Sequence, residues 1–281
     1  MSQIAFDPQM HGFAFANSFP FDEEEQAHLR RTFVRYFLWG GVLGAVLFGL
    51  LGVLLFPLGF LGPVVLGLAG PLLVLIVVWV VRNQLERHLA PHHGLCGGMC
   101  FAALDFYRAG IPIPRGQTTG DPPAPGTRLH RYLWKRQMQS IVSDGARFMA
   151  WPIFLNYAPP AWPFRGGTAW LLERSKREWQ KLKAALDAGE PVPIGLVRET
   201  KNIYDNHQVL AIGYDVLDQT RATLHLYDPN CPDIKSTIQI QFGERALDGR
   251  ESCGEAALLR GFFCESYAPS DPDDALEPSR G

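Results

Sequence analysis

The sequence predicts a protein of the α+β class with two parts, a pair of membrane-spanning helices near the N-terminus and a globular domain after them. Two observations support this prediction. Residues 36–81 form a long run without a single Asp, Glu, Lys or Arg. After residue 82, segments with a helical spacing of apolar residues come first, and short segments rich in β-branched and aromatic residues follow. Helices followed by a series of strands are typical of the α+β class.

The charge and cysteine content exclude some classes of function. The 281 residues include 26 basic and 28 acidic ones, so there is no electrostatic reason to expect nucleic acid as a partner. The five cysteines are odd in number and widely spaced, which is not the pattern of a disulfide framework. We therefore expect reduced thiols in a cytosolic compartment. Residues 22–25 are acidic and no apolar stretch precedes the uncharged run, so no cleavable signal peptide is predicted.

The uncharged run is too long for one membrane crossing, because a single helix would be about twice as long as the roughly 30 Å hydrocarbon core is thick. Helix-breaking residues between Pro57 and Pro63 divide it into Tyr36–Phe56 and Val64–Arg82. Arginines flank both outer ends, which places the two termini and the globular domain on the cytoplasmic side. Residues 36–82 are therefore predicted to be a transmembrane hairpin in the cell inner membrane, with the lipid bilayer as a partner. Two buried core helices are the alternative, which the absence of charge on every face disfavours.

The other residues divide into three predicted segments. Residues 1–35 contain Phe13 and Phe15, which alternate like one face of a strand, and we expect this segment to dock on the globular domain. Residues 83–269 form that domain, and residues 270–281 are predicted to be disordered. Helices are predicted at Met99–Tyr107, Arg128–Val142 and Thr168–Ala188. Strands are predicted at Val192–Val197, Gln208–Tyr214, Ala222–Tyr227, Ser236–Phe242 and Leu259–Tyr267.

A cysteine, a histidine and an aspartate lie where a catalytic triad needs them. Cys96 is at the predicted N-terminus of a helix, where the partial positive charge favours thiolate, with glycines after it that permit a tight turn and close substrate approach. His207 precedes a buried strand, and Asp228 ends the next one. If the two strands form a hairpin, the imidazole and the carboxylate meet at one end of it. Asp228 can then orient His207, which serves as the base for Cys96.

These motifs resemble the papain-like cysteine peptidase superfamily, and more closely its bacteriocin-leader peptidase-like branch. There a Cys-Gly pair opens a helix, a histidine begins a strand, and an Asp-Pro pair ends the following strand. The matching residues here are Cys96-Gly97, His207 and Asp228-Pro229. The chain from Gly94 to Tyr267 also looks like a group of largely uncharacterised bacterial proteins of that fold. The resemblance implies a papain-like fold, in which the helix that carries the cysteine packs on an antiparallel sheet, and a thiol protease with a catalytic triad of Cys96, His207 and Asp228.

Two assignments have competitors. Cys100 is followed by an aromatic residue, as the papain nucleophile is, but it lies one turn further into the helix, where the effect of the helix terminus has faded. His92 and His93 together with Cys96 and Cys100 could also be interpreted as a metal cluster, although their spacing matches no common zinc pattern. In addition, the superfamily usually has an oxyanion-hole glutamine about six residues before the nucleophile, and this chain has Ala90 there.

The sequence therefore predicts a membrane-anchored cysteine hydrolase that acts on peptide or isopeptide bonds of a peptide or protein substrate at the cytoplasmic face. Cys96 is the nucleophile, His207 transfers the proton, and Asp228 orients His207. No metal and no organic cofactor is required. Two other hypotheses remain: a catalytically degenerate module that binds peptides without cutting them, and an effector or toxin whose hairpin inserts into a target membrane.

Overall fold

The structure is a computed structural model, and it describes six stretches of the chain: residues 2–20, 92–114, 120–158, 166–200, 205–254 and 257–276. By contacts, residues 1–19 and 94–281 belong to one compact unit and residues 20–93 to another.

Three long helices precede most of the strands. A short helix, α1 (Pro8–His11), is followed by α2 (Cys96–Ala109), α3 (Arg128–Tyr157) and α4 (Gly167–Asp187). Helix α2 ends at Gly110, whose φ of 68° is the left-handed conformation that glycine adopts most readily. Helix α3 is capped at its N-terminus by Thr127, whose hydroxyl accepts a hydrogen bond from the His130 N–H. All three helices lie where the sequence predicts them.

Helix α3 is longer than predicted. The expected end was Val142, but the helix continues through Pro152 to Tyr157. A proline inside a helix removes one backbone hydrogen bond. Phe148 and Trp151 offset this loss by packing on the Phe263 ring, with centroid distances of 4.9 and 5.1 Å. Tertiary packing therefore extends a helix that local propensity would end earlier.

The strands form one large antiparallel sheet and one small one. The strands are β1 (Ser2–Gln3), β2 (Phe19–Pro20), β3 (His92–His93), β4 (Val192–Arg198), β5 (His207–Val216), β6 (Arg221–Tyr227), β7 (Lys235–Phe242), β8 (Leu247–Glu251) and β9 (Leu259–Cys264). Strands β2 and β3 pair with each other. The large sheet has the order β1-β5-β4-β9-β8-β7-β6, and β6 also pairs with β5.

The last pairing makes the predicted fold class wrong. Because β5 pairs with both β4 and β6, strands β5, β4, β9, β8, β7 and β6 close into a six-stranded antiparallel barrel. The prediction was a papain-like α+β fold with a helix on an antiparallel sheet, whereas the structure has this barrel. Two features explain why the sequence did not predict that the sheet closes. Strand β5 has ten residues, longer than the predicted Gln208–Tyr214, and β8, which joins β7 to β9, was not predicted at all.

The adjacency of β5 and β6 was predicted correctly. Leu210 lies opposite Tyr227 and Val216 lies opposite Ala222, so the two strands form the expected antiparallel hairpin. The register shifts between Ala211 and Gly213, which indicates a β-bulge in β5. A bulge bends a strand and increases its twist, and both changes help a sheet to close.

The predicted transmembrane hairpin at residues 36–82 lies outside the described residues. Within the ranges that the structure describes, no helix combines the length and the apolar composition that a bilayer crossing requires. This finding goes against the predicted inner-membrane localisation, which no described element supports. The membrane prediction therefore has no part in the function proposed below.

The N-terminal segment packs on the barrel. Phe13, Phe15 and Phe19 are buried in the main hydrophobic core, and the Ile4 N–H donates to the carbonyl of Ile212 in β5. Residues 13–15 are not a strand, although their alternation predicted one.

The opposite end of the chain also departs from prediction. Residues 272–275 form a short 3-10 helix with Pro272 and Ala275 buried, where disorder was expected.

Helices α2 and α3 are joined by a buried ion pair. Arg136 Nε lies 2.8 Å from Asp105 Oδ2, and both side chains are almost fully buried. Tyr132 and Tyr267 donate their hydroxyl groups to the same carboxylate at 2.8 and 2.6 Å. A buried charge pair is tolerated only when its remaining polar atoms are satisfied. Here it fixes α3 against the helix that begins at Cys96.

Two cysteines predicted to be reduced form a disulfide. Cys231 follows β6 and Cys253 follows β8, with a Cα–Cα distance of 6.1 Å. Both strands flank β7 and run in the same direction, so their ends lie at the same edge of the barrel. Sequence spacing alone could not reveal this proximity. Cys96, Cys100 and Cys264 are free thiols.

Removal of the disulfide should destabilise the barrel. The bridge closes a loop of 22 residues, so we expect a Cys231→Ser/Cys253→Ser variant to lose about 3 kcal/mol in the free energy of unfolding. Urea unfolding measures this loss, and Cys264→Ser is the control for the loss of a thiol outside the bridge. Alkylation of the unfolded, unreduced chain should modify three of the five cysteines; five modified cysteines would show that the bridge does not form.

Candidate active site

Cys96 is the first residue of α2, and its side chain is partly accessible. In its neutral form the thiol donates to Gln208 Oε1 at 3.6 Å. Burial alone would raise the pKa of the Cys96 thiol, but a hydrogen bond to the His207 imidazole and the charge of that ring hold the pKa below its ordinary value. Backbone hydrogen bonds from Gln208 and Gly97 act in the same direction. The nucleophile is therefore poised to ionise.

His207 lies between Cys96 and Asp228. Its Nε2 atom is 2.7 Å from Asp228 Oδ1, and both side chains are buried. Burial would lower the pKa of His207, but the Asp228 carboxylate and the Cys96 sulfur raise the pKa to about 10. Because Asp228 occupies Nε2, Nδ1 is the ring nitrogen that remains for the thiol. The structure thus brings the three predicted site residues together in the order carboxylate, imidazole, sulfur.

The carboxylate is held in its charged form. Burial would raise the pKa of Asp228, but His207, the N–H of Asn230 and the charge of Arg198 hold the pKa below its ordinary value. The Asn230 N–H donates to Asp228 Oδ1 at 2.8 Å. A charged Asp228 favours a protonated His207, which in turn favours a thiolate at Cys96.

The competing nucleophile, Cys100, has a different environment. It is buried one turn further along α2, and its thiol donates to the backbone carbonyl of Gln208 at 3.6 Å. Burial, with the neighbouring negative charges, raises the pKa of Cys100 well above its ordinary value. The geometry therefore favours Cys96. Within the described residues no group of three or more His, Cys, Asp or Glu side chains is arranged to hold a metal ion.

Behind Cys96 lies a buried polar network that the sequence did not suggest. The Gly98 N–H donates to Gln137 Oε1 at 2.9 Å, and Gln137 Nε2 donates to Gln208 Oε1 at 3.1 Å. Gln208 Nε2 in turn donates to the Glu265 carboxyl group at 2.9 Å. The network holds the Gln208 carboxamide against Cys96. Gln208 could have been suspected as the neighbour of His207, whereas nothing in the sequence singles out Gln137 or Glu265.

The glycines after Cys96 have a structural role different from the predicted one. A Cβ atom at Gly97 would lie 2.3 Å from Gln208 Oε1, and one at Gly98 would lie 2.2 Å from the backbone oxygen of Leu133. Real side chains do not approach so closely. The two glycines thus allow α2 to pack directly on β5 and α3, rather than opening space for a substrate.

Comparisons with protein-family models, with curated proteins and with solved structures found no match. The resemblance to papain-like peptidases therefore stays a prediction from the motifs alone. The inference about function rests on the geometry of Cys96, His207 and Asp228.

The pH dependence of stability should reveal the state of Glu265. Burial raises the pKa of Glu265 well above its ordinary value, so the folded protein holds this proton to a higher pH than the unfolded chain does. The unfolded chain releases it at about pH 4.3, so the contribution of Glu265 to stability falls as the pH rises beyond that value. Glu265→Gln removes the proton exchange and keeps a hydrogen-bonding group of the same shape. The difference in Tm between this variant and the wild type should therefore grow in favour of the variant from pH 4 to pH 7.

Thermal unfolding at several pH values measures this trend. Glu265→Ala is the matched comparison, because it removes one of the two acceptors of Gln208 Nε2 and leaves only Ser140 Oγ at every pH. It should be less stable than Glu265→Gln throughout. A constant difference in Tm between Glu265→Gln and the wild type would mean that Glu265 is ionised in the folded state.

Proposed function

We propose that this protein is a cysteine hydrolase that cleaves peptide or isopeptide bonds through a thioester intermediate. The observation that supports it is the arrangement of His207, whose Nε2 lies 2.7 Å from Asp228 Oδ1 and whose imidazole is also hydrogen-bonded to the Cys96 sulfur. A thiol next to an imidazole that is oriented by a third group is the signature of nucleophilic catalysis.

In the first half of the reaction, the Cys96 thiolate attacks the carbonyl carbon of the scissile amide. The carbonyl oxygen becomes an oxyanion, and the new C–S bond is complete in the tetrahedral intermediate. His207 then donates the proton on Nδ1 to the leaving nitrogen. The C–N bond breaks, an amine departs, and the acyl group remains on Cys96 as a thioester.

In the second half, water attacks the thioester carbonyl while His207 Nδ1 accepts a proton from it. The C–S bond breaks, a carboxylic acid leaves, and the Cys96 thiolate and the His207 imidazolium are restored. Asp228 keeps Nε2 protonated throughout, so that Nδ1 remains the nitrogen that exchanges protons. Within α2, the Cys96 backbone N–H has no acceptor because it is the first residue of the helix, which makes this N–H a candidate donor to the oxyanion.

A thiol-directed activity probe tests the proposal. An electrophilic peptide probe should label Cys96 in the wild type, and Cys96→Ala should abolish the labelling. His207→Ala should lower the labelling rate by roughly a factor of 100, and Asp228→Asn by a smaller factor, because the base survives there without its orienter. Peptide mapping by mass spectrometry identifies the labelled residue.

Cys100→Ser serves as the control for a thiol in the same helix, and it should leave the labelling unchanged. Labelling that is insensitive to His207→Ala would refute the triad. Labelling of Cys96 without turnover of any amide substrate would instead favour the peptide-binding module over the hydrolase.

A further inference from the structure

Asn17, in the N-terminal segment, connects the two sides of the candidate active site. Its backbone N–H donates to the carbonyl of Pro229, which follows Asp228, at 3.0 Å. Its side-chain Oδ1 accepts a hydrogen bond from the backbone N–H of Leu95, the residue before Cys96. A single side chain thus lies between the start of the nucleophile helix and the loop that carries the triad carboxylate.

These contacts fix the orientation of the Asn17 carboxamide. A backbone N–H can only donate, so the atom that faces Leu95 must be the oxygen. The other end of the amide is therefore Nδ2, which donates to Asn230 Oδ1 at 3.2 Å. Because Asn230 Oδ1 is turned toward Asn17, Asn230 Nδ2 faces the other way and lies 3.3 Å from His207 Nε2.

His207 Nε2 consequently has two polar neighbours of opposite character. Asp228 Oδ1 is an acceptor that favours a proton on this nitrogen, and the Asn230 amide presents the positive end of its dipole, which disfavours one. If the Asn230 amide were reversed, its oxygen would join Asp228 in holding the proton. The direction of one amide therefore decides whether the imidazolium is held by one acceptor or by two.

We infer that Asn17 is a positioning residue of the proposed hydrolase: it fixes the Asn230 carboxamide with the nitrogen toward His207 and so limits how firmly the imidazolium keeps its proton. The inference rests on the proposed function, because the groups at Nε2 change how readily the same ring releases its Nδ1 proton. A general acid that holds its proton too firmly donates it slowly to the leaving group. Asp228 alone already favours the imidazolium, so a second acceptor at Nε2 would work against turnover.

The other charged groups around His207 act on the ring independently of the Asn17 amide. Cys96 contacts the ring from α2, and Asp228 does so from the end of β6. Arg198, on β4, is close enough to influence both of these residues, and its guanidinium is bound by Glu251 at 2.8 and 2.6 Å. None of these side chains contacts the Asn17 amide in the described part of the chain. They should therefore be unchanged when Asn17 is replaced.

The test measures the pH at which His207 loses its proton in the full chain. The ring ¹⁵N chemical shifts report this titration, and the His207→Gln variant assigns the signals of His207. In Asn17→Asp the second carboxylate oxygen faces Asn230, whose amide must reverse and turn its oxygen toward His207. We expect the deprotonation of His207 to move upward by roughly half to one pH unit. Asn17→Ala, which frees the amide without adding charge, should move it upward by less.

The control is Ser18→Asp, which adds the same charge at the next residue, which is exposed, and leaves the Asn17 and Asn230 amides unchanged. It should shift His207 less than Asn17→Asp does. Asn230→Ala removes the donor directly and keeps the backbone N–H that binds Asp228, so it should also raise the titration point. Because both residues act through one amide, Asn17→Ala in the Asn230→Ala background should add nothing.

The positioning role of Asn17 would be overturned by equal shifts of the His207 titration in Asn17→Asp and Ser18→Asp. Additive shifts in the Asn17→Ala/Asn230→Ala double variant would also overturn it. Probe labelling of wild-type Cys96 separates this failure from failure of the proposed function. If Cys96 is labelled but the His207 titration is unchanged in the Asn17 and Asn230 variants, the positioning role of Asn17 is refuted and the proposed hydrolase remains. Unlabelled Cys96 refutes the hydrolase and, with it, the role of Asn17.

Discussion

The pairing of β5 with β6 is the constraint on which the site depends. It closes the barrel, and it also brings His207, at the start of one strand, to Asp228, just past the end of the other. The resulting contact of 2.7 Å is buried, so each partner would be costly without the other. Strand β5 also carries Gln208, whose side chain contacts Cys96. One strand therefore positions both the base, His207, and the amide that contacts the nucleophile.

Cys96, His207 and Asp228 form one charge system rather than three separate groups. A carboxylate and a thiolate on either side of one imidazolium stabilise it, and burial strengthens these interactions because little water screens them. Behind Cys96 the network is built from uncharged groups: Gln137 and Gln208 are amides, and burial raises the pKa of Glu265, which favours its neutral form. A neutral network there avoids an additional unpaired charge beside the nucleophile.

Much of the local structure could be predicted from the sequence, because it depends on short-range signals. Gly110 ends α2 as expected, and short apolar segments rich in β-branched and aromatic residues located β4 to β7 closely. The predicted hairpin of β5 and β6 places His207 beside Asp228, as the structure does. Closure of the barrel could not be predicted, because β8 carries Asp248, Gly249 and Arg250 and lacks the composition of a strand. It is a strand because two neighbours pair with it.

Long-range contacts account for the other surprises. The Cys231–Cys253 bridge depends on strands whose ends lie at one edge of the barrel. The Gln137–Gln208–Glu265 network joins α3, β5 and the residue after β9, which are far apart in the sequence. Asn17 lies 79 positions before Cys96 in the sequence, yet its side chain accepts a hydrogen bond from the N–H of Leu95, the residue next to Cys96. Sequence patterns report periodicity and local turns, whereas these features follow from which surfaces meet after folding.

Cys96 and His207 should share a thiolate–imidazolium pair, and the ultraviolet absorbance of the thiolate, followed against pH, measures it. The other free thiols do not interfere, since the pKa of Cys100 and of Cys264 lies above the ordinary range for a thiol. We expect a thiolate that forms below the ordinary pKa of cysteine, is absent in Cys96→Ser and forms at higher pH in His207→Ala. A thiolate that forms only at the ordinary pKa or above, or one whose pKa is unchanged in His207→Ala, would refute the pair.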